Sequence, residues 1–355
     1  MQKIAQLLNT YDFETIWVLK QLSQTHKSLW ELKGLAETIP SMFILITTLS
    51  LQEAKESSEI ENIITTNDEL YQSNTKKKYF TSIPAKEVYN YADALFYWYQ
   101  SVVKSNLITT KDIIQLQQMI EENNAWIRKL PWTELKNDKT GEIIYTPPQS
   151  HKEIVDLMSD LEWFINTPSQ LDPLIKMSII HHQFESIHPF YDANGRVGRV
   201  INVLYLVKEW LLDSPILYLS RSINKHKNDY YNYLQTVRDQ WTWEAWVIWM
   251  LEMIEQTAKH TIILIKNIKN LMMEYKHTIR SRLPKIYSQE LLNNIFKHPY
   301  TRVEFLRKDL WCTRITAVKY LEELVKIWIL KKIKSGRDNY YINTKLFALL
   351  QNISW

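Results

Sequence analysis

The chain has 355 residues, of which 45% are hydrophobic and 23% are charged, and its formal net charge is +4. This length and composition predict a globular protein with one large domain and one smaller domain. Cys312 is the only cysteine, which excludes an internal disulfide, and the N-terminus lacks the pattern of a signal peptide. No apolar run is long enough to cross a bilayer, so we expect a cytoplasmic protein without membrane contact.

Apolar residues recur at helical spacing through most of the chain, which predicts a mainly α fold. An N-terminal helical region covers residues 1–80, and within it residues 41–66 are predicted to form two helices. The second contains Ser57-x-x-x-Glu61-Asn62. Ser57 and Glu61 are four positions apart and therefore lie on one helix face. This spacing is common in helical proteins, so it indicates little when taken alone.

A short β-hairpin is predicted after two more helices, at residues 86–104 and 111–122. The turn residues 136–141 precede an Ile-Ile-Tyr strand and two prolines, which is typical of a hairpin that ends in a proline stop. Further helices are then predicted at 151–166, 171–184, 194–210, 227–237 and 242–275.

Residues 188–199 read His-Pro-Phe-Tyr-Asp-Ala-Asn-Gly-Arg-Val-Gly-Arg, and this run is suited to a polyphosphate. His188 is the candidate base, because a neutral imidazole can accept a proton near pH 7. Asp192 is the candidate ligand of a divalent cation. The helix that opens at Asn194 offers free N–H groups to an anion, and Arg196 and Arg199 can clamp phosphate oxygens.

The chain changes character near residue 280. Helices are predicted at 288–297, 303–310 and 314–326, followed by strands at 329–334 and 340–343, which is the plan of a winged helix. Residues 285–355 carry 13 Lys or Arg against 6 Asp or Glu, a net charge of +7, whereas the remainder has a net charge of −3. This basic segment predicts an anionic partner.

The run 188–199 resembles the motif of the Fic family, His-Pro-Phe-x-Asp/Glu-Gly-Asn-Gly-Arg-x-x-Arg, with Ala193 where the family usually has Gly. The resemblance covers about residues 35–255, with a further match at the C-terminus. It implies a Fic-type helical core at 81–280, a β-hairpin flap that docks the target, and a winged-helix module at 281–355. The implied activity is that of a protein adenylyltransferase, which moves AMP from ATP to a Ser, Thr or Tyr hydroxyl of a target protein or of itself.

The resemblance also implies the roles of individual residues. His188 would be the catalytic base and Asp192 would hold Mg²⁺. The ATP-binding residues would be Ala193, Asn194, Gly195, Arg196, Val197, Gly198 and Arg199, with Tyr230 and Tyr231 in the adenine pocket. Ser57, Glu61 and Asn62 match the family's inhibitory motif, Ser/Thr-x-x-x-Glu-Gly/Asn, so Glu61 is expected to inhibit by acting on Arg199.

Two other functions stay open. The same site could remove AMP or transfer another phosphate-linked group, although Gly195 favours the adenylyl type over the kinase-like branch, where Lys tends to stand. Alternatively, the chain could be a DNA-binding regulator whose Fic part senses a nucleotide. The sequence does not decide whether the C-terminal domain contacts DNA or protein, or whether the chain forms a homodimer.

The chain has only 5 Gly but 14 Trp, which is far from average usage. Trp132, Trp210, Trp311 and Trp328 stand where proteins of this type usually have Gly at helix ends. Gly is favoured there because a positive φ costs it nothing. We therefore hypothesise that the source organism reads as Gly a codon that is translated here as Trp.

Overall fold

The computed structural model describes residues 3–74, 82–136, 141–335 and 338–351, and these residues confirm a mainly α fold. The helices, in chain order, are α1 (Ile4–Thr10), α2 (Ile16–Ala36), α3 (Met42–Ile60), α4 (Asn67–Asn74), α5 (Ile83–Ser105), α6 (Thr110–Glu121), α7 (His151–Asn166), α8 (Pro173–Ile187), α9 (Asn194–Lys208), α10 (Ser220–Lys225), α11 (Lys227–Gln240), α12 (Trp243–Arg282), α13 (Gln289–Lys297), α14 (Val303–Leu310), α15 (Arg314–Lys326) and α16 (Thr344–Gln351). The strands are β1 (Leu135–Lys136), β2 (Ile143–Tyr145), β3 (Tyr300–Thr301), β4 (Lys331–Ser335) and β5 (Asp338–Ile342).

Many helices begin at the polar residues that the sequence offers for capping. The side chains of Thr15, Ser82 and Ser288 accept hydrogen bonds from backbone N–H groups at the starts of α2, α5 and α13. At α6, Thr109 and Asp112 form a reciprocal capping box. Such caps satisfy N–H groups that have no partner within the helix.

The prediction of two helices within residues 41–66 was wrong. Residues 42–60 form the single helix α3, because no Gly or Pro interrupts them. The helix ends at Ile60, and Asn62 follows with a φ of 63°. Glu61 is therefore the C-terminal cap of α3 rather than a residue inside a second helix. The domain boundary predicted at residue 80 lies outside the described residues.

The helical core is built around α8 and α9, whose side chains are almost all buried. These two helices pack against each other, with α5 and α7 beside them. The long helix α12 packs along α2 and also contacts α8. The predicted core helices are confirmed within a few residues, except that α12 continues to Arg282 and that α10 was missed.

The predicted hairpin is confirmed by an antiparallel pair, in which Leu135 of β1 lies opposite Tyr145 of β2. Its predicted turn falls largely on residues 137–140, which lie outside the described residues.

The C-terminal module consists of residues 289–351, and its predicted order of helices and hairpin is confirmed. Its antiparallel sheet has the strand order β3-β5-β4. Lys331 of β4 pairs with Ile342 of β5, and Tyr300 of β3 pairs with the same Ile342 from the other side. The sequence missed β3, which has only two residues, and the final helix α16.

Among the described residues, no helix is both long and apolar enough to span a bilayer. Cys312 is half-buried and lies two residues before α15.

Candidate functional site

The loop between α8 and α9 is fixed by two left-handed residues and one amide side chain. His188 ends α8 with a φ of 48°, and Ala193 precedes α9 with a φ of 66°. The side chain of Asn194 accepts a hydrogen bond from the N–H of Phe190 and donates one to its carbonyl, both at 2.9 Å. Because Phe190 is fully buried, the loop holds the first turn of α9 in one orientation next to His188.

Arg199 is buried and is held by the end of α3. Its Nε donates to Oγ of Ser57 at 2.8 Å, and its Nη2 donates to the Ser57 carbonyl at 2.8 Å. The same Nη2 lies 2.7 Å from Oε1 of Glu61, which forms an ion pair. The structure thus brings together residues that are about 140 positions apart in the sequence.

The Glu61 carboxylate also lies against the first turn of α9. A Cβ atom built on Gly195 would clash with Oε1 of Glu61 and approach Nη1 of Arg199. Gly at this position leaves room for that carboxylate beside the open N–H groups of the helix, a position that favours anions. The Glu61 carboxylate therefore occupies the anion position at the start of α9.

Arg196 has different partners from Arg199, although the two are three positions apart. Its guanidinium is buried and binds Glu121 of α6 at 2.5 Å and Glu87 of α5 at 3.2 Å. Arg196 thus ties the start of α9 to α5 and α6. Its contact with a phosphate group stays a prediction.

His188 is in a protonation state suited to a base. Burial, together with the positive charges of Arg128 and Arg238, lowers the pKa of His188 to about 4. Within the described part of the chain, its Nδ1 atom has no hydrogen-bond partner. The imidazole is therefore neutral at pH 7 and can accept a proton.

Asp192 lies at the surface of the same loop, with its side chain 74% exposed. Its Oδ1 accepts a hydrogen bond from the N–H of Ala193 at 2.6 Å. No cluster of three or more His, Cys, Asp or Glu able to hold a metal occurs in the described ranges. One accessible carboxylate beside an anion site fits Mg²⁺, provided that phosphate oxygens and water supply the other ligands.

A cavity of about 350 Å³ lies behind the hairpin. Its lining includes Tyr145 and Pro147 from the hairpin side, Ser186 of α8 and Arg238 of α11. The Tyr145 hydroxyl donates to the Ser186 carbonyl at 2.9 Å, and the Arg238 guanidinium stacks on the Tyr145 ring at 4.0 Å. The hairpin is thereby fastened two residues before His188.

The two tyrosines predicted for the adenine pocket differ in exposure. Tyr230 is fully buried, and its hydroxyl lies 2.9 Å from Nε2 of His181, whereas Tyr231 is 42% exposed. Val197 is buried, and Gly198 leaves room for the carboxyl of Glu185. ATP contacts of these residues stay predictions.

Sequence reasoning missed Arg128, which is fully buried next to the motif. Its Nε donates to the His188 carbonyl at 2.9 Å, and its Nη2 donates to the Pro148 carbonyl after β2. Its backbone N–H also donates to the Pro189 carbonyl at 2.9 Å. Arg128 thus links the loop between α8 and α9 to the hairpin. Only its position in the loop before the hairpin could have pointed to it.

Three family models match the chain. The Fic/DOC family N-terminal model matches residues 19–100, and the Fic/DOC family model matches residues 107–206. The C-terminal domain model of the SoFic-like protein adenylyltransferase matches residues 271–346.

A curated relative is the probable protein adenylyltransferase aq_aa38 of Aquifex aeolicus (strain VF5), which is 27% identical over 177 residues. The match covers 46% of this chain and 50% of the relative, so the chain spans about half the length of the curated protein that it matches.

Solved structures share the fold. A Fic family protein from Desulfovibrio desulfuricans G20 aligns with a TM-score of 0.58 and 20% identity, over 94% of this chain and 97% of that chain. A Fic domain containing signaling protein from Bacteroides thetaiotaomicron VPI-5482 aligns with a TM-score of 0.56 and 16% identity, over 68% of this chain and 98% of that chain. At these identities the likeness shows the fold alone.

Proposed function

Since the chain carries the two Fic/DOC family domains followed by a SoFic-like C-terminal domain, we propose that it is a protein adenylyltransferase. It transfers AMP from ATP to a Ser, Thr or Tyr hydroxyl of a target protein, or of itself. The name of the curated relative, probable protein adenylyltransferase, supports the same reaction class.

The observation that carries this proposal is the anion site at the start of α9. The Glu61 carboxylate binds Arg199 at 2.7 Å and contacts the helix turn at Gly195. A site that holds one anion between a buried guanidinium and a helix N-terminus also suits the phosphates of ATP. His188 ends the preceding helix, so a base and an anion site share one fixed loop.

These positions support the following reaction. His188 takes the proton of the target hydroxyl, and the hydroxyl oxygen attacks the α-phosphorus of ATP. A new P–O bond forms while the bond between the α-phosphorus and the bridging oxygen breaks, and pyrophosphate leaves with that electron pair. Arg199 neutralises the terminal phosphates, and the N–H groups of α9 stabilise the charge that develops on the transferred phosphate.

Asp192 would hold Mg²⁺ together with phosphate oxygens. The ion, when bound, neutralises phosphate charge and favours departure of pyrophosphate. Tyr230 and Tyr231 of α11, which the resemblance places in the adenine pocket, would contact the nucleoside; Tyr231 is 42% exposed and Tyr230 is buried. The edge of the hairpin can then pair with an extended segment of the target.

In this conformation the chain is autoinhibited. Glu61 is paired with the Arg199 guanidinium, which the γ-phosphate of ATP needs. Bound ATP would therefore lie with its α-phosphate out of line for attack. Misplacement by about 1 Å can cost on the order of 10²-fold in rate. Removal of Glu61 should therefore raise the rate of AMP transfer without raising the free energy of unfolding.

The test compares wild type, Glu61→Gly and the double variant Glu61→Gly/His188→Ala, each incubated with α-³²P-ATP and Mg²⁺. Glu61→Gly should increase labelling of the chain or of a target well above wild type. The double variant should bind ATP but lose about 10²–10⁴-fold in rate, because the base is gone. Labelling that survives in the double variant would overturn the assignment of His188. An unchanged rate in Glu61→Gly, with ATP bound normally, would show that Glu61 is not the switch.

A further inference from the structure

The segment that carries Glu61 contacts more than the nucleotide site. We call residues 57–66, which run from Ser57 through the cap of α3 to the start of α4, the inhibitory segment. On the core side it is held by Arg199 and by Lys227, whose Nζ donates to the Ile60 carbonyl at 2.5 Å. These contacts fix the segment in its blocking position, yet both helices that flank it reach the C-terminal module.

The helix before the inhibitory segment packs on the module. Helix α13 packs against α3. Nε2 of Gln52, which lies five positions before Ser57, donates to the carbonyl of Leu350 in α16 at 2.5 Å. Both the first and the last helix of the module therefore lie near α3.

The helix after the inhibitory segment is also tied to the module. The hydroxyl of Tyr300, in β3, donates a hydrogen bond to Oδ1 of Asp68 in the first turn of α4. Hydrogen bonds to a carboxylate are stronger than those between neutral groups. The inhibitory segment is thus fastened to the module at both ends, only two residues beyond Thr66 and five before Ser57.

A second set of contacts joins the module to the core without touching this segment. Helix α16 packs against α12, and the Tyr275 hydroxyl of α12 donates to Oδ1 of Asn343 at 3.2 Å. The module can therefore stay attached to α12 while its contacts to α3 and α4 change. The contacts to α12 thus attach the module to the core, whereas the contacts to α3 and α4 hold the inhibitory segment.

We propose that the C-terminal module holds the inhibitory segment in its blocking position, so that moving the module away from α3 and α4 releases Glu61 from Arg199. The inference rests on the proposed function, of which it is the regulation. A partner that binds the module and shifts it from α3 and α4 would then switch the nucleotide site on, whereas the free chain stays blocked.

The test removes single contacts far from the nucleotide site in the full chain. Tyr300→Phe deletes the bond to Asp68, and Gln52→Ala deletes the bond to Leu350. Tyr275→Phe is the matched control, because it also deletes one phenol oxygen between module and core but touches neither α3 nor α4. The first readout is hydrogen exchange of the amides of Glu61 and Ile63, which bond to the Ser58 carbonyl.

Each of Tyr300→Phe and Gln52→Ala should speed this exchange by on the order of five-fold, the effect of one net hydrogen bond, and Tyr275→Phe should leave it unchanged. AMP transfer should rise in parallel in the first two variants. In the Glu61→Gly background the same substitutions should not raise AMP transfer further, because Glu61 no longer blocks Arg199.

The outcomes separate the two proposals. If Glu61→Gly is active while Tyr300→Phe and Gln52→Ala exchange and transfer as wild type does, the coupling is refuted and the adenylyltransferase proposal stands. If exchange rises in these variants but no variant transfers AMP, the coupling stands and the proposed reaction fails. An equal rise in Tyr275→Phe would mean that general loosening, not the two contacts, frees the segment.

Discussion

Arg128 lies 60 positions before His188, yet it fixes the backbone of the loop between α8 and α9. Its guanidinium reaches the carbonyls of His188 and Pro148, and its backbone reaches Pro189. A planar guanidinium holds five N–H donors in a fixed fork, whereas an ammonium group is a compact, rotatable donor with three. Its positive charge also contributes, after burial, to the lowered pKa of His188. Arg128 therefore has two separable effects on one residue, positioning and electrostatic.

We predict that Arg128→Met raises the pKa of His188 from about 4 towards its ordinary value, because one nearby positive charge is removed. A base must be deprotonated to act, so transfer is lost as the pH falls through its pKa. The acidic limb of the pH profile of kcat/KM should move to higher pH in this variant. The profile is measured in the Glu61→Gly background, where transfer is not blocked.

Arg128→Lys is the matched control for the charge. It keeps the positive charge but loses the planar fork, so kcat should fall while the acidic limb stays at the pH of the parent. A limb that does not move in Arg128→Met would show that the charge of Arg128 does not set the pKa of His188.

The candidate site residues could be picked out from the sequence because they lie together in one motif. His188, Asp192 and Arg199 occupy twelve consecutive positions whose order indicates phosphate chemistry. The spacing of Ser57 and Glu61 is common in helices, and it indicated an inhibitory motif only in combination with residues 188–199. Arg128 could not be predicted, because its partners are backbone carbonyl groups. Every residue has such a group, so the sequence does not show which of them lie within reach of Arg128.

Helix ends in this chain carry an unexpected residue. The four tryptophans singled out from the sequence all adopt a positive φ, as does Trp241, but Trp132 lies in the loop before β1 and not at a helix end. Trp241 and Trp311 are the C-terminal caps of α11 and α14. Bulky side chains are strained in this conformation, whereas Gly is not. A positive φ favours Gly over Trp, so these backbone conformations support the hypothesis of a misread codon.

We predict that Trp311→Gly and Trp328→Gly each raise the free energy of unfolding by about 1 kcal/mol, because both side chains are exposed and lose no packing. Trp311 is 94% exposed and Trp328 is 88% exposed. Trp163→Gly is the control, since Trp163 is exposed inside α7, where Gly should destabilise the helix instead. Urea unfolding of the three variants and wild type measures the differences.

A loss of stability in both Trp311→Gly and Trp328→Gly would contradict this account of the helix ends. The hypothesis of a misread codon has its own test, because mass spectrometry of the natural protein that finds Trp at position 210 would exclude it.

At the level of elements, helices with a clear apolar period were predicted nearly to the residue, as in α7, α14 and α15. The errors concern short elements and helix continuity. Strand β3 has only two residues and forms because it pairs with β5. The local sequence of β3 does not show this pairing. Helix α3 was divided in two because the inhibitory pattern was assigned a helix of its own.

The charge of the whole molecule is unevenly distributed, and part of the excess lies on open surfaces of the C-terminal module. Arg314 and Lys319 on α15 are exposed, as are Lys331 and Lys334 on the edge strand β4. Helix α15 also exposes Ile315, which is 84% accessible. Cations of this kind suit phosphate groups, whereas the apolar side chain suits a protein partner.

We predict that the full chain binds duplex DNA through phosphates and that affinity falls steeply with salt. Replacing both Lys331 and Lys334 by Gln should lower the slope of log K against log salt by about two, one for each lost phosphate contact. Lys345→Gln is the control, because Lys345 is paired with Glu274 on α12. Fluorescence anisotropy with a labelled duplex at several salt concentrations gives the slopes. Undetectable or salt-independent binding of DNA would indicate that the C-terminal module recognises a protein instead.

Helix α12 runs without interruption from Trp243 to Arg282, from the aromatic cluster of the core to the module. At 1.5 Å per residue it is a rod of about 60 Å, and each residue turns the chain by about 100°. The helix therefore fixes the angular position around the core at which the chain enters the module. One residue inserted in its middle would swing the module about a quarter-turn around the core. Changes in length here should therefore be accepted during evolution only in steps that restore whole helical turns.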